Sequence, residues 1–142
     1  MKGHVSVEVI HDDGRTEVIE QDNVVTNDGR DAFAALLAQD TSAFPSHIGV
    51  GTSATAAAVT DTALGAEVDR NAILADFASG GVATFKSYFS QSEANGSTLA
   101  EVGMFDASTS GTLMCRSILS VTVAKTSSIS LNITWTLTLA DA

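Results

Sequence analysis

The sequence predicts a mainly β fold, an antiparallel β-sandwich of the jelly-roll kind or a partly closed barrel, with one α-helix in the N-terminal third. Three observations predict it: a long terminal segment of strict apolar–polar alternation, several shorter alternating segments between turn residues, and one alanine-rich segment with helical periodicity. Many short strands at regular spacing are typical of sandwiches and barrels. We expect one domain over residues 1–142, with a hairpin in 1–22, the helix in 27–39 and the main strands in 47–139.

The clearest element is the last strand, predicted over Ser128–Leu139. Every second residue is apolar, and the residues between them are polar: the apolar positions are Ile129, Leu131, Ile133, Trp135, Leu137 and Leu139. Because successive side chains of a strand point to opposite faces, this pattern predicts one buried face that includes Trp135. We expect this strand to pair with the preceding one, Leu113–Val123.

The chain begins with a predicted hairpin of two short strands, His4–Ile10 and Thr16–Glu20. Asp13-Gly14 between them is a favoured hairpin-turn dipeptide, because both residues adopt positive φ readily. The pair Asp12-Asp13 also suggests a metal site, but no third ligand lies at useful spacing, so we favour a turn.

The predicted helix covers Asn27–Gln39. Thr26 or Asn27 can cap its first turn, where acidic residues suit the helix dipole. One face carries Phe33, Leu36 and Leu37. A membrane-surface helix would need several basic residues opposite that face, and Arg30 is the single one, so we expect the helix to pack as a plug on the sheet.

The middle of the chain contains a short predicted strand, His47–Gly51, followed by an extended surface arm, Thr52–Thr60, and a single helical turn from Thr60 to Leu64. Gly49-Val50-Gly51-Thr52 lacks the ending of a phosphate-binding glycine loop, so we interpret it as strand. The remaining predicted elements are strands Ile73–Phe77 and Val82–Phe89 joined through Gly80-Gly81, a loop Ser90–Ser97, strand Leu99–Phe105, a turn Asp106–Gly111, and strand Leu113–Val123.

The charge balance restricts the partners. Seventeen acidic residues face seven basic ones, which gives a net charge of -10 and argues against nucleic acid and against an anionic membrane surface. Two explanations stay open: an ordinary acidic protein, or one adapted to high salt, where repulsion between like charges is screened. The low lysine content and the excess of Asp over Glu are typical of halophilic proteins.

We predict no catalytic, cofactor or metal site, and no enzymatic activity. His4, His11 and His47 are widely separated and lack metal-ligand spacing. Glu93 and Glu101 flank a loop and raise the possibility of a glycosidase carboxylate pair, but we favour exposed, solvated acids. The lone cysteine, Cys115, is expected to be a buried, inert thiol, and neither a signal peptide nor a membrane span is expected. Two glycosylation patterns begin at Asn95 and Asn132.

An ordered set of short stretches covers most of the chain from Asn23 onward. They are Asn23-Val24-Val25-Thr26 with Gly29-Arg30-Asp31; Ile48-Gly49-Val50-Gly51-Thr52; Thr60-Asp61-Thr62-Ala63-Leu64-Gly65 with Glu67 and Arg70; Glu93-Ala94-Asn95-Gly96; Leu99 with Glu101-Val102-Gly103-Met104-Phe105-Asp106; Gly111-Thr112-Leu113 with Arg116; and Lys125 followed by Trp135. In this order they resemble a family of small structural proteins of tailed phages and tailed archaeal viruses, described as tail-fibre or virion-associated proteins.

The resemblance implies a non-enzymatic component of a virus particle, assembled in the host cytoplasm. Combined with the acidic composition, it suggests a halophilic host. The implied partners are further copies of the chain, with a trimer favoured over a dimer, and other virion proteins, for which Thr52–Thr60 is a candidate contact. The implied position is the tail tip, baseplate or fibre. A capsid-decorating or head-surface protein is the alternative, and a carbohydrate-binding adhesion module is a more remote one. No ligand residues are carried over from the family.

Overall fold

A computed structural model describes residues 1–139 of the chain and contains nine strands and one helix over that range. In chain order they are β1 (Lys2–His11), β2 (Thr16–Val25), α1 (Asn27–Leu37), β3 (His47–Gly51), β4 (Glu67–Ala72), β5 (Ala75–Ser79), β6 (Val82–Phe89), β7 (Thr98–Phe105), β8 (Leu113–Ala124) and β9 (Ile129–Thr138). The predicted mainly β, antiparallel fold with one helix is confirmed. The helix ends two residues before the predicted boundary, at Leu37.

All nine strands belong to one antiparallel sheet with the order β4-β3-β7-β8-β2-β1-β9-β6-β5. The sheet curls into a half-barrel, which corresponds to the partly closed arrangement among those predicted. Its two halves are joined between β2 and β8, where the register contains two residue pairs, Val24 with Arg116 and Val25 with Cys115. Apolar side chains from both halves therefore meet in one core.

The last strand lies in the middle of one half of the sheet. Trp135 is fully buried, as the alternation predicted, and stands opposite Val5 of β1 on one side and Phe85 of β6 on the other. The predicted pairing of this strand with Leu113–Val123 is wrong, because β8 pairs with β7 and β2 instead. The link after β8 is responsible: the backbone of Lys125 bonds to Ser97 and Gly96, and the chain crosses to the other half of the sheet without forming a hairpin.

Both predicted hairpins are confirmed. Gly14 has φ of 88° in the first turn, and Gly80 and Gly81 have φ of 58° and 79° in the second. Two predictions for the middle of the chain need correction. Thr60–Leu64 forms turns and bends rather than a helical turn, and Glu67–Ala72 is a strand that the sequence pattern did not predict. Strand β4 lacks the period-two alternation of apolar and polar residues that identified the other strands.

Helix α1 is held to β8 at its first turn. The Thr26 side-chain oxygen accepts from the backbone N–H of Gly29 at 2.9 Å, which caps the helix, and its hydroxyl donates to the carbonyl of Leu113 at 2.6 Å. A Cβ atom at Gly29 would overlap the carbonyl oxygen of Met114, so only glycine permits this approach. Phe33 is buried and Leu36 packs partly against the core, in agreement with the predicted role of the helix as a plug. Leu37, predicted on the same face, is instead 74% exposed. Within residues 1–139, no helix is long and apolar enough to cross a membrane.

Candidate functional site: an arm held by buried charges

The segment between β3 and β4, residues 52–66, contains neither strand nor helix and is here called the arm. It is fixed by hydrogen bonds from two neighbouring strands, β7 and β8, and by one from the helix start, where the backbone N–H of Asn27 donates to the carbonyl of Val59 at 2.7 Å. The surface arm predicted over Thr52–Thr60 is mostly exposed, and it forms the first part of this segment. The whole segment is also attached to the sheet at both ends and in its middle.

Arg116 of β8 is the centre of the attachment, with 2% of its surface exposed. Its guanidinium donates to the carbonyl of Thr55 at 2.9 Å and to the carboxylate of Asp61 at 2.9 Å, both in the arm. It also lies 2.9 Å from the carboxylate of Glu101 on β7. A planar guanidinium with five donors suits this role, because it can bind carboxylates and carbonyls in several directions at once.

Glu101 is completely buried, which corrects the prediction that it is a solvated surface acid. Its two carboxylate oxygens accept hydrogen bonds from the backbone N–H groups of Ser53, Gly65 and Ala66, in addition to Arg116. Removing a carboxylate from water costs several kcal/mol unless it is paired and hydrogen-bonded. Glu101 meets both conditions, so it joins the two ends of the arm to the sheet.

The arm also packs an apolar side chain against the sheet. Leu64 packs with Phe105 and Leu113 in a small cluster separate from the main core. A Cβ atom at Gly103 would come within 2.8 Å of both Leu64 and Leu113, so the absence of a side chain there makes room for the leucine. The glycines of β3 also face this region: a Cβ atom at Gly51 would come within 2.5 Å of Glu101. The Gly-Val-Gly run is a strand, as predicted, and its glycines accommodate the arm.

A second arginine fixes the strand that follows the arm. Arg70 of β4 forms a bidentate pair with Glu67, with both N–O distances at 2.7 Å. Its guanidinium also donates to the carbonyls of Ala107 and Ser110, and lies 3.5 Å from the centroid of the Phe105 ring. Through these contacts Arg70 connects β4 to the turn between β7 and β8.

A buried lysine holds the loop between β6 and β7. Lys125 is 1% exposed and donates to the side-chain oxygen of Asn95 at 2.9 Å and to the carbonyl of Thr126 at 3.1 Å. Burial lowers the pKa of Lys125, and the nearby charge of Glu93 opposes that shift. Glu93 itself accepts from the amide of Asn71 and from the backbone N–H of Ser90, so it has structural partners and is not a solvated acid.

The acidic and histidine residues that the sequence offered as candidate site residues do not come together in one site within residues 1–139. Glu93 and Glu101 share no hydrogen-bonding partner, and His4 and His11 contact acids on the neighbouring strand β2 while His47 bonds to Ser46. Across residues 1–139, no group of three or more His, Cys, Asp and Glu side chains is placed to hold a metal ion.

Three smaller predictions concern single residues. Asp13 accepts from the backbone N–H of Arg15 at 2.9 Å, and so belongs to a turn, as predicted. Cys115 is buried, as predicted, and burial raises the pKa of its thiol to about 12. The glycosylation-pattern residues Asn95 and Asn132 are both exposed, although Asn95 also bonds Lys125 and Asn132 donates to Glu8.

Comparisons with protein-family models, with curated proteins and with solved structures find no match for this chain.

The burial of three charged residues that hold the arm and the β6–β7 loop was not predicted from the sequence. These residues are Glu101, Arg116 and Lys125. Each stands within or next to an apolar strand: Glu101 lies between Ala100 and Val102, and Arg116 follows Cys115. A charged residue inside such a strand indicates a buried pair when an opposite charge occupies a neighbouring strand. That signal was present in the sequence, but it needs the β7–β8 pairing to be recognised.

Proposed function

We propose that this protein is a non-enzymatic structural component of a tailed virus particle, a symmetric assembly module of the tail tip, baseplate or fibre. The proposal rests on the positions in the fold of the residues that carry the resemblance to virion proteins. The stretches that resemble virion proteins include the residues that hold the arm and its neighbouring loops: Asp61, Leu64, Gly65, Glu67, Arg70, Glu101, Gly103, Arg116 and Lys125. Their contacts are structural, so the resemblance falls on features that make a rigid scaffold.

The chemistry of these residues supports a scaffold rather than a reaction centre. The Glu101 carboxylate is occupied by four donors, and the Arg116 guanidinium contacts two carboxylates and two arm carbonyls. Groups that act on a substrate need a free lone pair or proton directed into a cleft. Here the charged groups instead fix a loop on a sheet, which is what an assembly module needs from its surface.

The acidic composition supports a saline setting for that module. Three of the seven basic residues, Arg70, Arg116 and Lys125, are engaged inside the fold. The exposed basic residues are Lys2, Arg15, Arg30 and Lys86, and most of the seventeen acidic residues are exposed as well, so negative charge dominates the surface. Such a surface repels other copies at low ionic strength and much less so in molar salt.

The test is the composition of the particle. Virions produced from the genome that encodes this chain are purified on a density gradient, digested and quantified by mass spectrometry, and an antibody against the chain is used for immunogold labelling. We expect a fixed copy number per particle and gold at the tail end. Labelling over the head would assign the chain to capsid decoration, and purified particles that lack the chain would overturn the proposal.

A further inference from the structure

One end of the sheet is open. Strand β5 is the terminal strand, and within residues 1–139 it pairs with β6 alone. All five of its residues, from Ala75 to Ser79, are exposed. An edge strand of this kind carries a row of free backbone N–H and C=O groups that can accept another strand.

The hairpin turn determines which backbone groups of β5 are free. Ser79 and Val82 flank the two-residue turn Gly80-Gly81. The residues that flank such a turn exchange their backbone hydrogen bonds, and alternate pairs along the hairpin do the same. The N–H and C=O groups of Asp76 and Ala78 therefore point away from β6, toward the open edge.

An apolar groove of about 280 Å³ adjoins this edge, between the C-terminal half of α1, Pro45 and the β5–β6 hairpin. Its walls include Ala78, Ala83 and Phe85, which also border a shallow hollow beside Phe77. Six large apolar residues in this region are between 47% and 74% exposed. Met1, Leu37 and Leu139 line the groove, Phe77 borders the hollow, and Phe44 and Leu74 are the sequence neighbours of Pro45 and Ala75. We call the edge, the groove and these six residues the apolar edge surface.

The apolar edge surface is large enough to form an interface between two copies. At roughly 100 Å² of exposed area for each side chain, the five residues other than Phe77 give about 500 Å², which is within the range of the largest patches on monomers. Phe77 stands opposite Thr84 in the hairpin and so lies on the other face of the sheet, where it adds about 100 Å² beside the same edge. A standard interface covers about 800 Å² on each partner, so the backbone and the smaller side chains of the edge and the groove would have to supply roughly 200 Å² more. Among the described residues of β5 and the groove, Asp76 has the only charged side chain.

That lack of charge favours a second copy as the occupant. Two chains that each carry a net charge of -10 repel one another, so they can approach most closely through a face that is nearly uncharged. A basic partner would instead be attracted to the acidic remainder of the surface, and would gain nothing from this face.

We propose that two copies of this chain associate through their β5 edges, antiparallel and related by a two-fold axis at Phe77. In this register Asp76 lies opposite Ala78 of the partner subunit, and their outward groups form about four backbone hydrogen bonds. The two Phe77 side chains face each other as a non-hydrogen-bonded pair, the arrangement in which cross-strand side chains are closest. The inference does not rest on the virion assignment, and it differs from the trimer that the family resemblance implies.

The first test measures the mass of the purified chain by analytical ultracentrifugation, from about 5 to 500 μM, in 0.15 M and 2 M KCl. We expect a monomer–dimer equilibrium that shifts at least tenfold toward dimer in 2 M KCl, because the remaining repulsion is screened there. Phe77→Lys and Ala78→Pro should each give monomers, the second because proline removes an outward N–H without removing a bond to β6. Val121→Lys, which changes an equally exposed apolar residue outside the surface, should leave the dimer intact.

The second test examines the register. In the background Cys115→Ala, Phe77→Cys should form an intermolecular disulfide under mild oxidation, because the two-fold axis places each new cysteine opposite itself at a Cα distance of about 4.5 Å. Tyr88→Cys, at an exposed aromatic residue of the adjacent strand, is the control and should not. Each variant is first checked for an unchanged far-UV spectrum and a cooperative melt. A monomer at every concentration and salt level, a trimer, or a dimer unaffected by Phe77→Lys would each overturn the proposal. A monomer would still leave the particle assignment open to its own test.

Discussion

Trp135 donates its indole N–H to the side-chain oxygen of Asn23 at 3.0 Å, and so connects two residues 112 positions apart. Trp135 lies in the central strand β9, and Asn23 lies near the end of β2, close to where the two halves of the sheet join. The contact depends on a third residue, because a Cβ atom at Gly3 would overlap the carboxamide of Asn23. The buried indole N–H therefore has its hydrogen-bond partner in the side chain of Asn23.

The first prediction concerns that hydrogen bond. Asn23→Ala leaves the buried indole N–H without its partner, which should lower the free energy of unfolding by about 1–3 kcal/mol. Urea unfolding followed by Trp135 fluorescence measures the loss. Asn132→Ala removes an exposed asparagine of β9 that donates to Glu8, and should cost less than about 0.5 kcal/mol. Equal losses in the two variants would contradict a specific role for the Trp135–Asn23 contact.

The second prediction concerns the attachment of the arm. Arg116→Met leaves the buried Glu101 carboxylate without its countercharge, which should destabilise the fold by about 3–5 kcal/mol. Limited proteolysis should then cut within residues 52–66 at protease concentrations that leave the wild-type chain whole, because Thr55 and Asp61 lose their donor.

Two further variants control this experiment. Arg30→Met removes an exposed arginine and should change neither stability nor cleavage. The double variant Arg116→Met with Glu101→Gln removes both charges and should be more stable than Arg116→Met alone, because no uncompensated charge is left in the interior. A double variant that is less stable than either single variant would show that the charge pair is not what holds the arm.

The third prediction concerns the alkaline range. Burial raises the pKa of the Cys115 thiol from 9.0 to about 12, so between these values the folded chain retains a proton that the unfolded chain has released. Stability should therefore fall as pH rises through this window, by at most about 1.4 kcal/mol per pH unit. The effect of Lys125 on stability runs in the opposite direction. Its pKa is lowered in the folded chain, so the unfolded chain binds more protons there. The contribution of Lys125 to stability therefore rises as the pH increases toward 10.5.

The difference between the wild-type chain and Cys115→Ala isolates the thiol, because both contain Lys125. Between pH 8 and pH 11, the free energy of unfolding measured in urea should decrease more steeply for the wild-type chain than for Cys115→Ala. A constant loss of stability caused by the alanine does not change this difference in slope. At pH 8 the folded chain should also resist a thiol reagent that reacts at once in urea, since Cys115 is fully buried. Parallel pH curves, or fast labelling of the folded chain, would contradict the burial.

The fourth prediction concerns salt. The melting temperature should rise continuously from dilute buffer into molar KCl, because self-repulsion at a net charge of -10 decreases as the Debye length shortens from about 10 Å at 0.1 M to about 3 Å at 1 M. Thermal melts at constant pH across a KCl series measure it. A melting temperature that stays constant above about 0.3 M KCl is expected of an ordinary acidic protein, and it would contradict the hypothesis that this chain is adapted to high salt.

Most strands, both hairpin turns and the helix of this chain were predictable from local sequence, whereas β4 was not. Alternation of apolar and polar residues over Ser128–Leu139 identified β9 and the burial of Trp135, since a strand presents side chains to two faces in turn. Asp13-Gly14 and Gly80-Gly81 identified the hairpins because positive φ is available there at low cost. Thr26 identified the helix start because its hydroxyl can accept from the first turn. Each of these is a property of a few consecutive residues.

The neighbours of β9, the burial of Glu101 and the attachment of the arm were decided by the tertiary structure alone. They depend on which distant segments meet: Arg116 reaches Asp61 across 55 positions, and β9 lies between β1 and β6 because the link at Lys125 crosses to the other half of the sheet. A charged residue in a strand is solvated at one sheet position and buried at another, and its own sequence neighbourhood is the same in both cases. The strand order determines which of the two applies, since it determines whether an opposite charge is close enough to compensate the loss of water.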